Sequence, residues 1–235
     1  MRILALDTAT ESCSAALLIN GQLAGRELEL GRGHAEHILP MIDELLAEAG
    51  TTLGTLDAIA FGRGPGGFTG VRLAASVTQG LAFGAGLPVI PVSDLAAVAQ
   101  RVVGRGNEGN EGAEPHRVIV CNDARMREVY WACFERRAGL ATLVGEERVA
   151  PPDAVALPSS WTSGPVLGAG RGFSAYPHLR TRLESRLAAV HERLLPRAQE
   201  IALLAVPVLL AGQAVTPEQA LPVYLRDEVA QPAER

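Results

Sequence analysis

Asp57–Gly84, DAIAFGRGPGGFTGVRLAASVTQGLAFG, is the stretch on which the reading of the whole chain turns. It predicts a buried strand over Ala58–Phe61, a turn over Gly62–Gly67 and a helix over Thr69–Phe83. Four glycines and a proline in the six turn residues give backbone freedom that an ordinary turn does not use. The helix carries little bulk: Gly70, Ala74, Ala75, Ser76, Thr78, Gly80 and Ala82 are all small. Small residues let a second helix approach closely. Free N–H groups at the helix start attract anions. The chemistry therefore leaves two uses open, an anion at the turn or a helix against the helix.

Upstream, Arg2–Asp7 and Ser14–Ile19 are apolar strands, and Asn20-Gly21 is a type I′ hairpin signal leading to a returning strand over Gln22–Leu30. His34–Ala49 keeps a helical period through Ile38, Leu39, Met41, Ile42, Leu45, Leu46 and Ala49, with Gly50 as its stop. Downstream, Pro88–Val92 is a strand, and Ser93 caps a helix over Asp94–Val103. Three antiparallel strands followed by helix, strand, helix, strand, helix fit a ribonuclease H-like mixed sheet.

Gly104–His116, all turn formers and Glu, separates this block (residues 1–103) from a smaller, irregular one (117–198) and reads as a flexible linker. In the second block, Arg117–Asn122 and Glu128–Glu135 form a hairpin, with Leu140–Val144 beside it. Val166–Leu167 leads into Gly168-Ala169-Gly170-Arg171-Gly172, and Leu179–Val190 reads as a polar helix. The apolar helix over 199–211 is expected to complete the first lobe. No repeat with a fixed period is visible in the sequence.

Composition narrows the chemistry. The chain has 235 residues and a formal charge of −5, which argues against a free-standing nucleic-acid binder. All 21 basic residues are arginine, so chemistry that needs a lysine, in P-loop NTPases and Schiff-base enzymes, is excluded. Three cysteines without ligand spacing point to a reducing cytoplasm. The most apolar window, Ile201–Leu210, is too short to span a bilayer.

The candidate sites each carry a plain alternative. Asp7 and Thr8, at the end of the first strand, could orient a metal-bound water or phosphate; equally, Asp7 could close an Asx turn. Arg72 could add charge at the Gly64–Gly70 turn. His34 and His37 could share a metal, but lack a third ligand, and a helix-start histidine is the simpler reading. No Ser/His/Asp or Cys/His constellation stands out.

The ordered set Ile3-Leu4-Ala5-Leu6-Asp7-Thr8-Ala9-Thr10, Arg32-x-His34-Ala35-Glu36, Gly64-Pro65-Gly66-x-Phe68-Thr69-Gly70-x-Arg72 and Asp123-Ala124-Arg125 with Glu128-Val129-Tyr130 resembles the TsaB family of bacterial tRNA threonylcarbamoyladenosine biosynthesis proteins over nearly the whole chain. This is a glycoprotease-like family. The resemblance implies an α/β, two-lobed fold of the actin, sugar-kinase and Hsp70 type with a reduced second lobe. It implies a role in placing threonylcarbamoyl on the adenosine beside the anticodon. The catalyst there is a paralogous TsaD-like transferase, joined by a TsaE-like ATPase.

That catalytic paralogue holds a metal with an H-x-x-x-H pair. The matching positions here are Asp94 and Val98, so the resemblance implies a chain with no catalytic or metal residues of its own. Asp7, Thr8, Gly168 and Gly170 then stand as remnant nucleotide contacts. No cofactor is expected for this chain alone, with ATP or ADP reserved for the partner interface. The helix Thr69–Phe83 becomes the docking face, through Val71, Ala74, Ala75 and Thr78, for the TsaD-like partner or for a second copy in a homodimer. Contact with tRNA is expected only through the complex, in the cytoplasm. The rival readings are a stand-alone ATPase or small-molecule kinase of the same superfold, and a metallopeptidase.

Overall fold

The computed structural model describes residues 1–104 and 117–226, so the expected linker lies outside the described residues except for Gly104. Strands β1 (Arg2–Asp7), β2 (Ser12–Ile19) and β3 (Gln22–Glu29) form an antiparallel meander. Its tight loop places Asn20 at φ 50° and Gly21 at φ 87°, the two left-handed residues that a type I′ turn requires. Helix α1 (His34–Glu48) stops where Gly50 turns left-handed, and the Thr51 N–H bonds back to the Leu46 carbonyl at 3.0 Å. Then come β4 (Ala58–Gly62), α2 (Phe68–Ala85), β5 (Val89–Val92) and α3 (Asp94–Val103). The Ser93 hydroxyl accepts the Ala96 N–H at 3.1 Å, capping α3 as its sequence predicts. The sheet order is β3-β2-β1-β4-β5, with β1, β4 and β5 parallel.

The second block is more regular than its sequence suggests. It contains β6 (Arg117–Asp123), β7 (Val129–Arg137), β8 (Leu140–Ala150), β9 (Val166–Ala169), α4 (Gly172–Ala175), α5 (Pro177–Leu183), β10 (Leu187–His191) and α6 (Ala198–Leu210). Its sheet runs β8-β7-β6-β9-β10, with β6, β9 and β10 parallel and the other pairs antiparallel. This is the strand order of the first sheet repeated. The expected polar helix Leu179–Val190 is corrected here: helix α5 ends at Leu183, and Leu187–His191 is a strand paired with β9. What the second lobe lacks is a counterpart of α1, because a short 3₁₀ turn at Pro152–Ala154 stands between β8 and β9.

Alternation of side chains along the strands divides the core into four layers. On the first sheet, Leu4, Leu6, Ile59 and Phe61 face α1 and α2, whereas Ile3, Ala5, Ala58 and Ala60 face α6. On the second sheet, Val118, Val120, Ala132 and Phe134 face Leu95, Val98 and Val102 of α3. Ile119, Trp131 and Val166 face Phe173 and Leu179 of α4 and α5. The middle layer is thus exchanged between the lobes: α3 leaves the first sheet and packs on the second, and α6 returns from the second to the first.

A polar clamp reinforces this exchange. Glu147 of β8, with its side chain 7% exposed, accepts from Arg63 Nη2 at 2.9 Å and from the Ser93 hydroxyl. Removing the carboxylate leaves a half-buried guanidinium unpaired, which costs about 1–3 kcal/mol. Glu147→Ala is expected to lower the unfolding free energy read from urea titration by that order, and a loss below about 0.5 kcal/mol would show that the clamp is redundant.

Candidate functional site: the inter-lobe cleft

The carboxyl ends of β1 and β4 meet the end of β6 across a cleft of about 750 Å³. One wall is Thr8–Glu11 with the glycine turn Gly66–Gly70, and the opposite wall is Asn122–Met126. Clefts outside the carboxyl ends of parallel strands are where open α/β sheets place ligands.

Backbone approach explains the turn. The Gly67 N–H donates to the Ala9 carbonyl at 2.7 Å, and Thr8 Oγ1 donates to the Gly70 carbonyl at 2.7 Å. A Cβ at Gly70 would run into the Thr8 carbonyl, so only glycine lets α2 start flush against the first hairpin. Arg72 does not turn into the cleft wall; its guanidinium lies 3.5 Å from the Phe68 ring centroid and donates to the Tyr224 hydroxyl at 2.8 Å.

Asp7 is fully buried, and its Oδ1 accepts the Ala9 N–H at 2.9 Å, the Asx arrangement. Beside it lies Asp94, also fully buried, whose Oδ2 accepts the Gly64 N–H at 2.5 Å. A Cβ at Gly62 would strike both carboxyls, so the glycine makes room for the pair. Asp7 Oδ2 and Asp94 Oδ1 are buried without a hydrogen-bond partner. Burial pushes the Asp7 carboxyl up to about 6, and burial together with the Asp7 charge pushes Asp94 well above the usual range. Burial favours the neutral form at both carboxyls. Sequence reasoning missed the pair, because an acid at the first position of a helix reads as a response to the helix dipole.

The remaining candidates fall in different places. Thr8 borders the cleft, but Asp7 is turned away from it toward Asp94. Gly168 and Gly170 are packing positions: a Cβ at Gly168 would press on Phe173 and Val190, and one at Gly170 would meet Asn122 and the Cys121 carbonyl. His34 Nε2 lies 2.9 Å from the Thr10 carbonyl, tying α1 to the first turn. Among the described residues no group of three or more His, Cys, Asp or Glu could hold a metal ion. Val98 is fully buried in the layer between α3 and the second sheet. Burial raises all three thiols, Cys13 to about 11 and Cys133 to about 12, which leaves no thiolate nucleophile.

The expected docking residues also need correction. Val71, Ala74, Ala75 and Thr78 are buried within the chain, with Ala74 and Ala75 in the core under α2. The outward stripe of α2 is Leu73, Ser76, Val77, Gly80, Phe83 and Gly84, with Phe83 73% exposed. The helical period alone does not say which side of α2 faces the core.

Two mixed sheets of one strand order, with exchanged helices and a cleft between them, define a duplicated, two-lobed α/β protein. Residues 29–234 match the family described as TsaD, tRNA N6-adenosine threonylcarbamoyltransferase. The chain is 42% identical to the tRNA threonylcarbamoyladenosine biosynthesis protein TsaB of Escherichia coli K12, over 98% of this chain and 96% of that protein. It is 37% identical to the protein of the same name from Haemophilus influenzae, over 97% and 95%. The structure of YeaZ from Pseudomonas aeruginosa superposes with a TM-score of 0.83 at 44% identity, covering 95% of this chain and 99% of that one. The chain belongs to the TsaB family of tRNA threonylcarbamoyladenosine biosynthesis proteins.

Proposed function

We propose that the chain is a non-catalytic subunit that docks and activates a TsaD-like transferase in threonylcarbamoyladenosine formation on tRNA. The observation that carries this reading is the outward face of α2. Gly80 and Gly84 lie in an 18-residue helix, where each glycine costs about 1 kcal/mol relative to alanine. Nothing lies within 4 Å of a Cβ built at either position, so the chain's own packing does not require them. A stripe kept open at a cost in helix stability fits a helix of another chain lying close against it, with Phe83 and Val77 adding apolar area. The same stripe serves a second copy when the transferase is absent. A TsaE-like ATPase joins the assembled pair, and tRNA is reached through the complex in the cytoplasm. Catalysis is left to the partner, because Asp94 is engaged with Asp7 and Val98 with the core. Reconstitution tests the role: threonylcarbamoyl transfer by the TsaD-like protein is expected to fall strongly when this chain is omitted, and equal transfer without it would overturn the proposal.

The cleft of about 750 Å³ favours a second reading, a stand-alone ATPase or small-molecule kinase. Calorimetry of the isolated chain with Mg-ATP separates the two. No binding at 1 mM nucleotide, about −4 kcal/mol on the affinity scale, is expected for a partner subunit. Micromolar binding would favour the kinase reading.

A further inference from the structure

The geometry points to the C-terminal segment 220–226 as a strap that fastens the two lobes across the mouth of the cleft and sets how far it opens. The segment leaves a 3₁₀ turn at Pro217–Gln219, anchored by fully buried Ala220, whose carbonyl accepts from Gln79 of α2 at 3.1 Å. It then crosses the glycine turn, where the Val223 N–H donates to the Arg63 carbonyl at 2.8 Å. Tyr224 takes the Arg72 hydrogen bond, and its ring stands 6.1 Å from that of Phe68. All of these contacts are to the first lobe.

The next two residues carry the chain to the second lobe. Arg226 donates through Nε to Glu128 at 3.1 Å and through Nη2 to the Ala124 carbonyl at 3.1 Å, and its side chain is 17% exposed. Its target, the β6–β7 loop, has Arg125, Met126 and Arg127 all left-handed, at φ 61°, 51° and 63°. Non-glycine residues hold that conformation only where surrounding contacts impose it. Arg226 is one of those contacts, so strap and loop are held together. Val223, Tyr224, Leu225 and Arg226 border the same cleft as Thr8 and Asn122.

The fastening is light compared with the rest of the inter-lobe contact. Beyond Ala220 no strap residue is buried, whereas α3 is built into the core and the Arg63–Glu147 clamp is half-buried beside it. Segments with few buried contacts sit at the low end of local stability and open first. The lobes are therefore hinged at α3 and latched at Arg226, with the exposed ion pairs of Arg171 with Glu29 and Glu11 and of Arg125 with Glu11 as a second, solvent-screened fastening.

Spin labels at Thr69→Cys on α2 and Ala175→Cys on α4 report the opening, since both sites are exposed and Cys13, Cys121 and Cys133 are buried against labelling. Arg226→Glu is expected to lengthen and broaden the Thr69–Ala175 distance distribution, with an unchanged circular dichroism spectrum. The paired exchange Arg226→Glu with Glu128→Arg is expected to recover most of the narrow distribution. A distribution in Arg226→Glu that matches the native one would overturn the strap, as would broadening that the paired exchange leaves untouched. Should Arg226→Glu fail to fold, Arg226→Gln is read by the same criterion.

Discussion

Gly80→Leu with Gly84→Leu is expected to stabilise the isolated chain and abolish its assembly. Leucine is among the better helix formers and glycine among the worst, so the two exchanges favour α2 by about 1–2 kcal/mol before the cost of exposing apolar surface. Neither side chain meets anything within its own chain. The thermal midpoint should therefore rise by a few degrees. Association with a TsaD-like partner should fall at least about 100-fold, or about 2.8 kcal/mol, because two isobutyl groups hold the facing helix away. Scanning calorimetry gives the first quantity and titration calorimetry the second. Opposite signs in the two are what a docking face requires. A variant that is more stable and still assembles would place the partner elsewhere.

Asp94→Asn should weaken how strongly stability falls with rising pH at the Asp7–Asp94 pair. Both carboxyls titrate above their unfolded values, so the folded chain holds protons that the unfolded chain releases. The stability they contribute is complete below about pH 4 and is lost as pH rises through about 6 for Asp7 and further for Asp94. Asparagine keeps an oxygen for the Gly64 N–H and offers an N–H to Asp7, while removing one titrating group. Relative to wild type, the variant should gain on going from pH 5 to pH 8, by up to about 1.4 kcal/mol per unit of pH within the window. Urea unfolding of both proteins at the two pH values measures this. A constant difference would mean that the pair does not hold protons in the folded chain.

The first lobe was legible in the sequence because its signals are local. Asn20-Gly21 admits few backbone shapes, Gly50 ends α1, and Ser93 caps α3; each needs only its neighbours. Leu187–His191 carries no such signal. Leu-Ala-Ala-Val suits a helix as well as a strand, and the open edge of β9 decided between them. The duplication of the lobes was hidden for the same reason, since strand order is a property of pairing and leaves no period in the residues.

The site shows the same division. The sequence by itself determined that Gly62–Gly67 forms a turn opening a helix of small residues, because glycine's missing Cβ is a property of the residue. It also determined the family, through motifs spread along nearly the whole chain. Which side of α2 meets the sheet was not determined, since Ala74, Ala75 and Thr78 differ little in size from Ser76, Gly80 and Gly84. Tertiary structure settled that by burying the first set and leaving the second open. It also brought Asp94 to Asp7 and Arg226 to Glu128, partners 87 and 98 residues apart that no local pattern links. Side chains that meet only because two sheets and two exchanged helices close around them are decided by packing.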